Sequence, residues 1–134
     1  MLKFYKEYLV ISFFCFLCSC GSTTDESLGD DFYYYQESRN SFIVLFCTSK
    51  GLFECNSGIQ VIPSDIELIN YNEDYIIAKT KTKDGDQFWL VDKKKFINKS
   101  NNKNSVFKYS NHIDFQNDKA KFGVNLDLKS PENI

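Results

Sequence analysis

At 134 residues the chain has room for one small domain, large enough to bury a core without the help of a metal. Its 16 basic and 18 acidic residues give a formal charge of −2, so it has no electrostatic reason to seek nucleic acid. A single histidine excludes a His-rich metal site and leaves any Ser-His-Asp or Cys-His triad only His112 to use.

Lys3 and Lys6 make a basic start, residues 8–17 are almost purely apolar, and Leu17-Cys18-Ser19-Cys20 follows directly before the polar stretch 21–27. The apolar run is about half the roughly 20 residues a spanning helix needs, and it has the layout of a secretory signal. The tetrad resembles the lipobox of bacterial lipoproteins. That resemblance implies cleavage before Cys20, acylation of its sulfur with palmitate-type chains, and attachment to the cell-envelope membrane with no protein segment in the bilayer. Gly21 rather than Asp after the cysteine implies the outer membrane where two membranes are present. A plain secretory signal and an anchor or core helix are the competing readings. Residues 1–19 are therefore expected to be a signal peptide, and residues 20–27 the lipidated cysteine with a flexible tether. Fully extended, residues 21–31 reach at most roughly 35 Å from the membrane.

The folded domain is expected over residues 28–128. Phe32-Tyr33-Tyr34-Tyr35 reads as a first strand. Of the five cysteines, Cys15 and Cys18 leave with the signal and Cys20 is consumed by lipid, which leaves Cys47 and Cys55 in an oxidising compartment. They lie symmetrically about Gly51, with turn chemistry between, so a hairpin places their sulfurs opposite each other. A structural disulfide is the expectation. Free thiols are the alternative, and a redox or nucleophilic pair would want closer spacing or a nearby base. Residues 59–62 alternate briefly and stop at Pro63, and residues 66–71 continue the strand series. Asn72-Glu73-Asp74 is a turn. Residues 75–82 are the clearest strand, with Lys and Thr alternating at its exposed end. Asp84-Gly85 signals a hairpin, and residues 87–92 return against it. The basic run Lys93-Lys94-Lys95 leads into a polar loop at 98–105 and reads as a solvated strand end rather than a patch for anionic polymers. A short strand at 106–109 precedes a helix over 111–122, capped by Asn111 and stopped by Gly123. Residues 129–134 form a polar tail. The fold class is α+β, a small antiparallel β-meander sheet with one C-terminal helix.

The order Leu28-Gly29-Asp30-Asp31-Phe32-Tyr33, Tyr75-Ile76-Ile77-Ala78-Lys79 and Gln87-Phe88-Trp89-Leu90-Val91-Asp92-Lys93, closed by a helix and Gly123-Val124, resembles a family of small bacterial lipoproteins known as a domain of unknown function. The resemblance implies one domain over most of the chain and brings no activity, cofactor or site residue.

Searching for chemistry yields few candidates. Asp84 and Asp86 flank Gly85, but a calcium loop needs more oxygen ligands. Glu73 and Asp74 are adjacent on a turn and do not converge on a cleft. Tyr33, Tyr34, Tyr35 and Trp89 form the candidate binding surface, an aromatic platform for sugar or peptide, with core packing as the competing reading. The expected function is a membrane-anchored envelope lipoprotein acting as a non-catalytic binding or structural module, with an envelope protein as candidate partner and no cofactor or metal. The alternative is an inhibitor or immunity-type lipoprotein acting on a secreted enzyme or toxin. An enzyme would require a cleft in which His112 meets a carboxylate or hydroxyl.

Overall fold

The structure, a computed structural model, describes residues 25–52, 55–63, 65–98 and 104–134. The expected signal peptide, the lipidation site Cys20 and the tether up to residue 24 lie outside them. The described residues form β1 (Glu26–Gly29), β2 (Phe32–Ser38), β3 (Ser41–Lys50) and β4 (Cys55–Ile62), then β5 (Ile66–Tyr71), β6 (Tyr75–Thr82), β7 (Gly85–Asp92) and β8 (Val106–Tyr109). Helix α1 (Lys93–Asn98) separates β7 from β8, and α2 (His112–Lys121) follows β8.

Every strand pairs antiparallel with its neighbour in sequence, but in two four-stranded sheets, β1-β2-β3-β4 and β5-β6-β7-β8. The class is largely antiparallel β with helices, and the expectation of one meander sheet with one helix is corrected. Pro63 lies between β4 and β5. It has no N–H to give a ladder and holds its own φ fixed, so it ends the first sheet as well as its strand. The chain then starts a second sheet at Ile66.

The two sheets share one core. Leu28, Phe32, Tyr34, Val44 and Ile62 of the first sheet meet Ile66, Ile69, Ile76, Ala78, Trp89 and Val91 of the second, with Phe96 of α1. Strand alternation sends Ile77, Phe88 and Leu90 to the opposite face of the second sheet, where Phe115 of α2 and Val124 cover them. The architecture is thus sheet on sheet on helix. Thr80, expected on an exposed strand end, is buried and accepts a 2.9 Å hydrogen bond from Trp89 Nε1. That bond satisfies the one polar atom a buried indole carries.

Local signals explain both helices. Asn111 caps α2, its Oδ1 accepting from the Asp114 N–H at 2.8 Å. Gly123 takes φ +69°, and the Gly123 and Val124 N–H groups donate to Ala120 and Lys119 carbonyls, a Schellman termination. Helix α1 stands where a solvated strand end and loop are expected. Asp92 caps it by accepting from the Lys95 N–H at 2.9 Å, and Lys93 and Phe96 are buried. Both domain boundaries also move outward. Glu26 and Ser27 belong to β1 rather than to a tether. Lys129 bridges to Ile69, Pro131–Asn133 form a 3-10 turn, and Ile134 packs on the core, so residues 129–134 are not a loose tail.

Candidate functional site

Cys47 and Cys55 form a disulfide with their Cα atoms 5.7 Å apart. The pair expected from the spacing is joined, but not as directly opposed residues. Cys47 faces Gly58 and Cys55 faces Lys50, because the ladder slips twice between Cys47 and Lys50. Strand β3 runs past Cys47 to Lys50 and β4 begins at Cys55, so Leu52 lies in the turn. The link therefore runs diagonally across the hairpin, joining the buried Cys47 to the first residue of β4.

The four aromatic residues singled out in the sequence do not share a surface. Successive side chains of β2 point to opposite faces. Tyr34 goes into the core, 5% exposed, and Trp89 packs there too, 8% exposed. Tyr33 and Tyr35 stay half-exposed on the outer face, where Tyr33 pairs across the ladder with Leu45 and Tyr35 with Ile43. The candidate binding surface is thus reduced to Tyr33 and Tyr35. With Leu45 as floor and Lys50, Leu52 and Cys55 of the disulfide-bonded hairpin as wall, they line a cleft of about 330 Å³. Asp25, the first described residue, lies on its rim. Lys50 is ion-paired with Asp31, and the hydrogen bond to that carboxylate raises its pKa. Leu52, 94% exposed, stands at the hairpin tip. Two aromatic rings, an aliphatic floor and an ammonium group suit a sugar ring or a peptide side chain, which stack on such faces and need a polar anchor.

A second focus, unforeseen in the sequence, is Lys93. Its side chain is 1% exposed, and its Nζ donates to the Leu28 carbonyl and, at 2.7 Å, to the Asn72 carbonyl. Burial lowers its pKa, against the opposing pull of Asp30, Asp74 and Glu73. The ammonium lies 5.5 Å from the Tyr71 ring centroid. Beside it lie the left-handed Gly29 and Asp30 (φ +80° and +51°), and a Cβ on Gly29 would come within 3.3 Å of Nζ. The Leu28-Gly29-Asp30-Asp31 and Val91-Asp92-Lys93 segments, distant in sequence, therefore meet at this one amine. The signal that could have found it is the position of Lys93 between Val91 and Phe96, three residues before the one aromatic of its helix.

Of the remaining candidates, His112 is exposed at the start of α2, its Nε2 3.0 Å from Gln116 Nε2 and its ring 5.2 Å from that of Phe88. Asp86 pairs with Lys79 at 2.9 Å, and Asp74 pairs with Lys94. Asn72, in the expected turn, accepts from the Asp74 and Tyr75 N–H groups through its Oδ1. Among the described residues no three His, Cys, Asp or Glu side chains are grouped to hold a metal ion, and no helix is long and apolar enough to cross a membrane.

No curated protein and no solved structure matches the chain. A family profile does, across residues 29–132, a span that runs from the end of β1 into the C-terminal 3-10 turn and takes in β2 to β8 and both helices. The chain belongs to the family described as protein of unknown function (DUF3997).

Proposed function

We propose that this chain is a lipid-anchored protein of the bacterial cell envelope that acts as a non-catalytic binding module, engaging its partner through the Tyr33–Tyr35 cleft. The observation that carries the reading is that cleft: half-exposed aromatic side chains on a sheet face, walled by a hairpin tip that a disulfide holds in place. A pre-formed wall reduces the ordering cost of binding. The lipobox-like tetrad at Cys20 supplies the anchor, on the outer membrane where there are two. With β1 starting at Glu26, the span from Cys20 to the sheet is only six residues, about 20 Å at full extension rather than 35 Å. Asp25 on the cleft rim then directs the cleft toward the anchored side of the domain. A second reading, an inhibitor or immunity-type lipoprotein, draws support from an acid-rimmed cleft beside Tyr34.

Two experiments test the proposal. Metabolic fatty-acid labelling is expected to mark the protein, and Cys20→Ser to abolish both label and membrane retention. Retention without label would overturn the anchor. A photo-crosslinking residue at position 35 in intact cells is expected to capture a discrete envelope partner that the same residue at exposed position 113 does not. Equal capture at both positions would overturn the binding face.

A further inference from the structure

A cleft of about 560 Å³ opens between the first sheet and β5, where the C-terminal 3-10 turn closes over them. Its wall holds Tyr34 and Phe42, whose rings stack with centroids 4.9 Å apart and planes within 5°. Its rim carries Glu26, Glu67 and Glu132. Tyr34 is only 5% exposed, yet among the described residues its hydroxyl has no hydrogen-bond partner. A buried polar group left so is costly, and native folds keep few of them. Glu67 is bonded to Lys79 at 3.1 Å, whereas among the described residues Glu26 and Glu132 have no ion-pair partner.

We propose that this cleft binds an organic cation, an alkylammonium or guanidinium group, with Glu26 and Glu132 pairing its charge and Tyr34 Oη accepting from an N–H. The chemistry excludes the other ligand classes one by one. An anion meets three carboxylates. A neutral apolar ligand covers the rim acids without pairing them, at a desolvation cost. A hard metal ion wants six or more oxygens, more than two unpaired carboxylates and one phenol hydroxyl supply. An organic cation uses every part. Its charge is held by charge-assisted hydrogen bonds and by the half-exposed Phe42 ring, and its methylenes lie on the apolar wall. Burial, with Glu26 nearby, pushes the Tyr34 pKa up to about 12, so the phenol is neutral when it meets the ligand. The site is independent of the anchor and of the Tyr33–Tyr35 cleft.

The cation can be a free amine or an Arg side chain presented by a basic protein, and calorimetry on the full-length chain in detergent separates the two. Agmatine and a blocked Gly-Arg-Gly peptide are the probes, with n-butylurea as the uncharged control. Binding on the order of 1 mM or tighter is expected for at least one charged probe. Agmatine alone assigns the site to a free amine, and the peptide alone to a protein partner. Glu26→Gln with Glu132→Gln is expected to weaken binding about tenfold or more, and Tyr34→Phe, which keeps the stacked ring, by several-fold. No binding of either charged probe overturns the proposal. So does equal binding of n-butylurea, or affinity unmoved by these substitutions in chains whose circular dichroism matches the parent.

Discussion

Replacing Lys93 by Met keeps the length and most of the volume of the side chain but removes the ammonium that joins the two sheets. In the native chain that group donates to Leu28 O in the first sheet and to Asn72 O in the turn between β5 and β6. Without it, two inward-facing carbonyls lose their donor, at about 1–3 kcal/mol each. The relief of no longer burying a charge offsets part of this, because buried ionic groups recover little beyond their own desolvation. A net loss of about 2–4 kcal/mol follows, and at roughly 5 °C per kcal/mol for a domain of this size the melting midpoint falls by about 10–20 °C. Thermal melts by circular dichroism on parent and variant measure it. Lys94→Met is the control, since Lys94 pairs with Asp74 on the surface and its loss should leave the midpoint unmoved. The sign with pH is also fixed. Burial depresses the folded pKa of Lys93 below its ordinary 10.5, so the unfolded chain binds more protons between the two values. The Lys93 contribution therefore grows as pH rises through that window, and the gap between parent and Lys93→Met should widen there. A Lys93→Met midpoint within about 2 °C of Lys94→Met would refute the claim that this amine holds the sheets together.

The two raised tyrosines give an alkaline signature. Burial lifts Tyr34 to about 12, and burial with the 2.8 Å hydrogen bond to Asp118 lifts Tyr109 higher. The folded state holds these protons more tightly than the unfolded one, so their stabilising share is complete below about pH 10 and is lost as pH climbs through the folded values. The Tyr34 and Tyr109 share of phenolate absorbance is expected to appear only on unfolding. A single early step including all tyrosines would contradict their burial. Substituting Ser at both Cys47 and Cys55 should lower stability by about 2.5 kcal/mol, as expected for a loop of this length. It should also weaken capture at position 35, because the hairpin wall is no longer fixed. Mass change on thiol alkylation before and after reduction, with a denaturant titration, checks the first part, and unchanged stability would show that the link does not constrain the chain.

Features governed by a few neighbouring residues were legible in the sequence. The Asn111 cap, the Gly123 stop, the Asn72 turn and strand β6 each follow from local hydrogen-bonding or steric rules. Pairing Cys47 with Cys55 followed from compartment and spacing. Its register did not, because the slips at Cys47 and Lys50 depend on how the hairpin packs. The aromatic platform failed for a definable reason. In Phe32-Tyr33-Tyr34-Tyr35 every residue is aromatic, so no polar alternation marks which face is buried, and the strand's partner decides. Helix α1 was hidden because three lysines erase the apolar period, and only the placement of Lys93 between Val91 and Phe96 marks it as the one that turns into the core. The acid-rimmed cleft joins Glu26, Glu67 and Glu132, which become neighbours only when the C-terminal turn folds back onto β5.

Since every strand pairs with the one next to it in sequence, each sheet is a closed stretch of chain, 26–62 and then 66–109. Such a topology has low contact order, and loop closure is cheap at each step. On the proposed export route the first sheet can assemble while the second is still emerging, and its hairpin brings Cys47 to Cys55 within eight residues of chain. The domain carries only these two cysteines, so once Cys20 is acylated there is no wrong partner to oxidise to. Order of emergence, rather than an isomerase, would then secure the native disulfide.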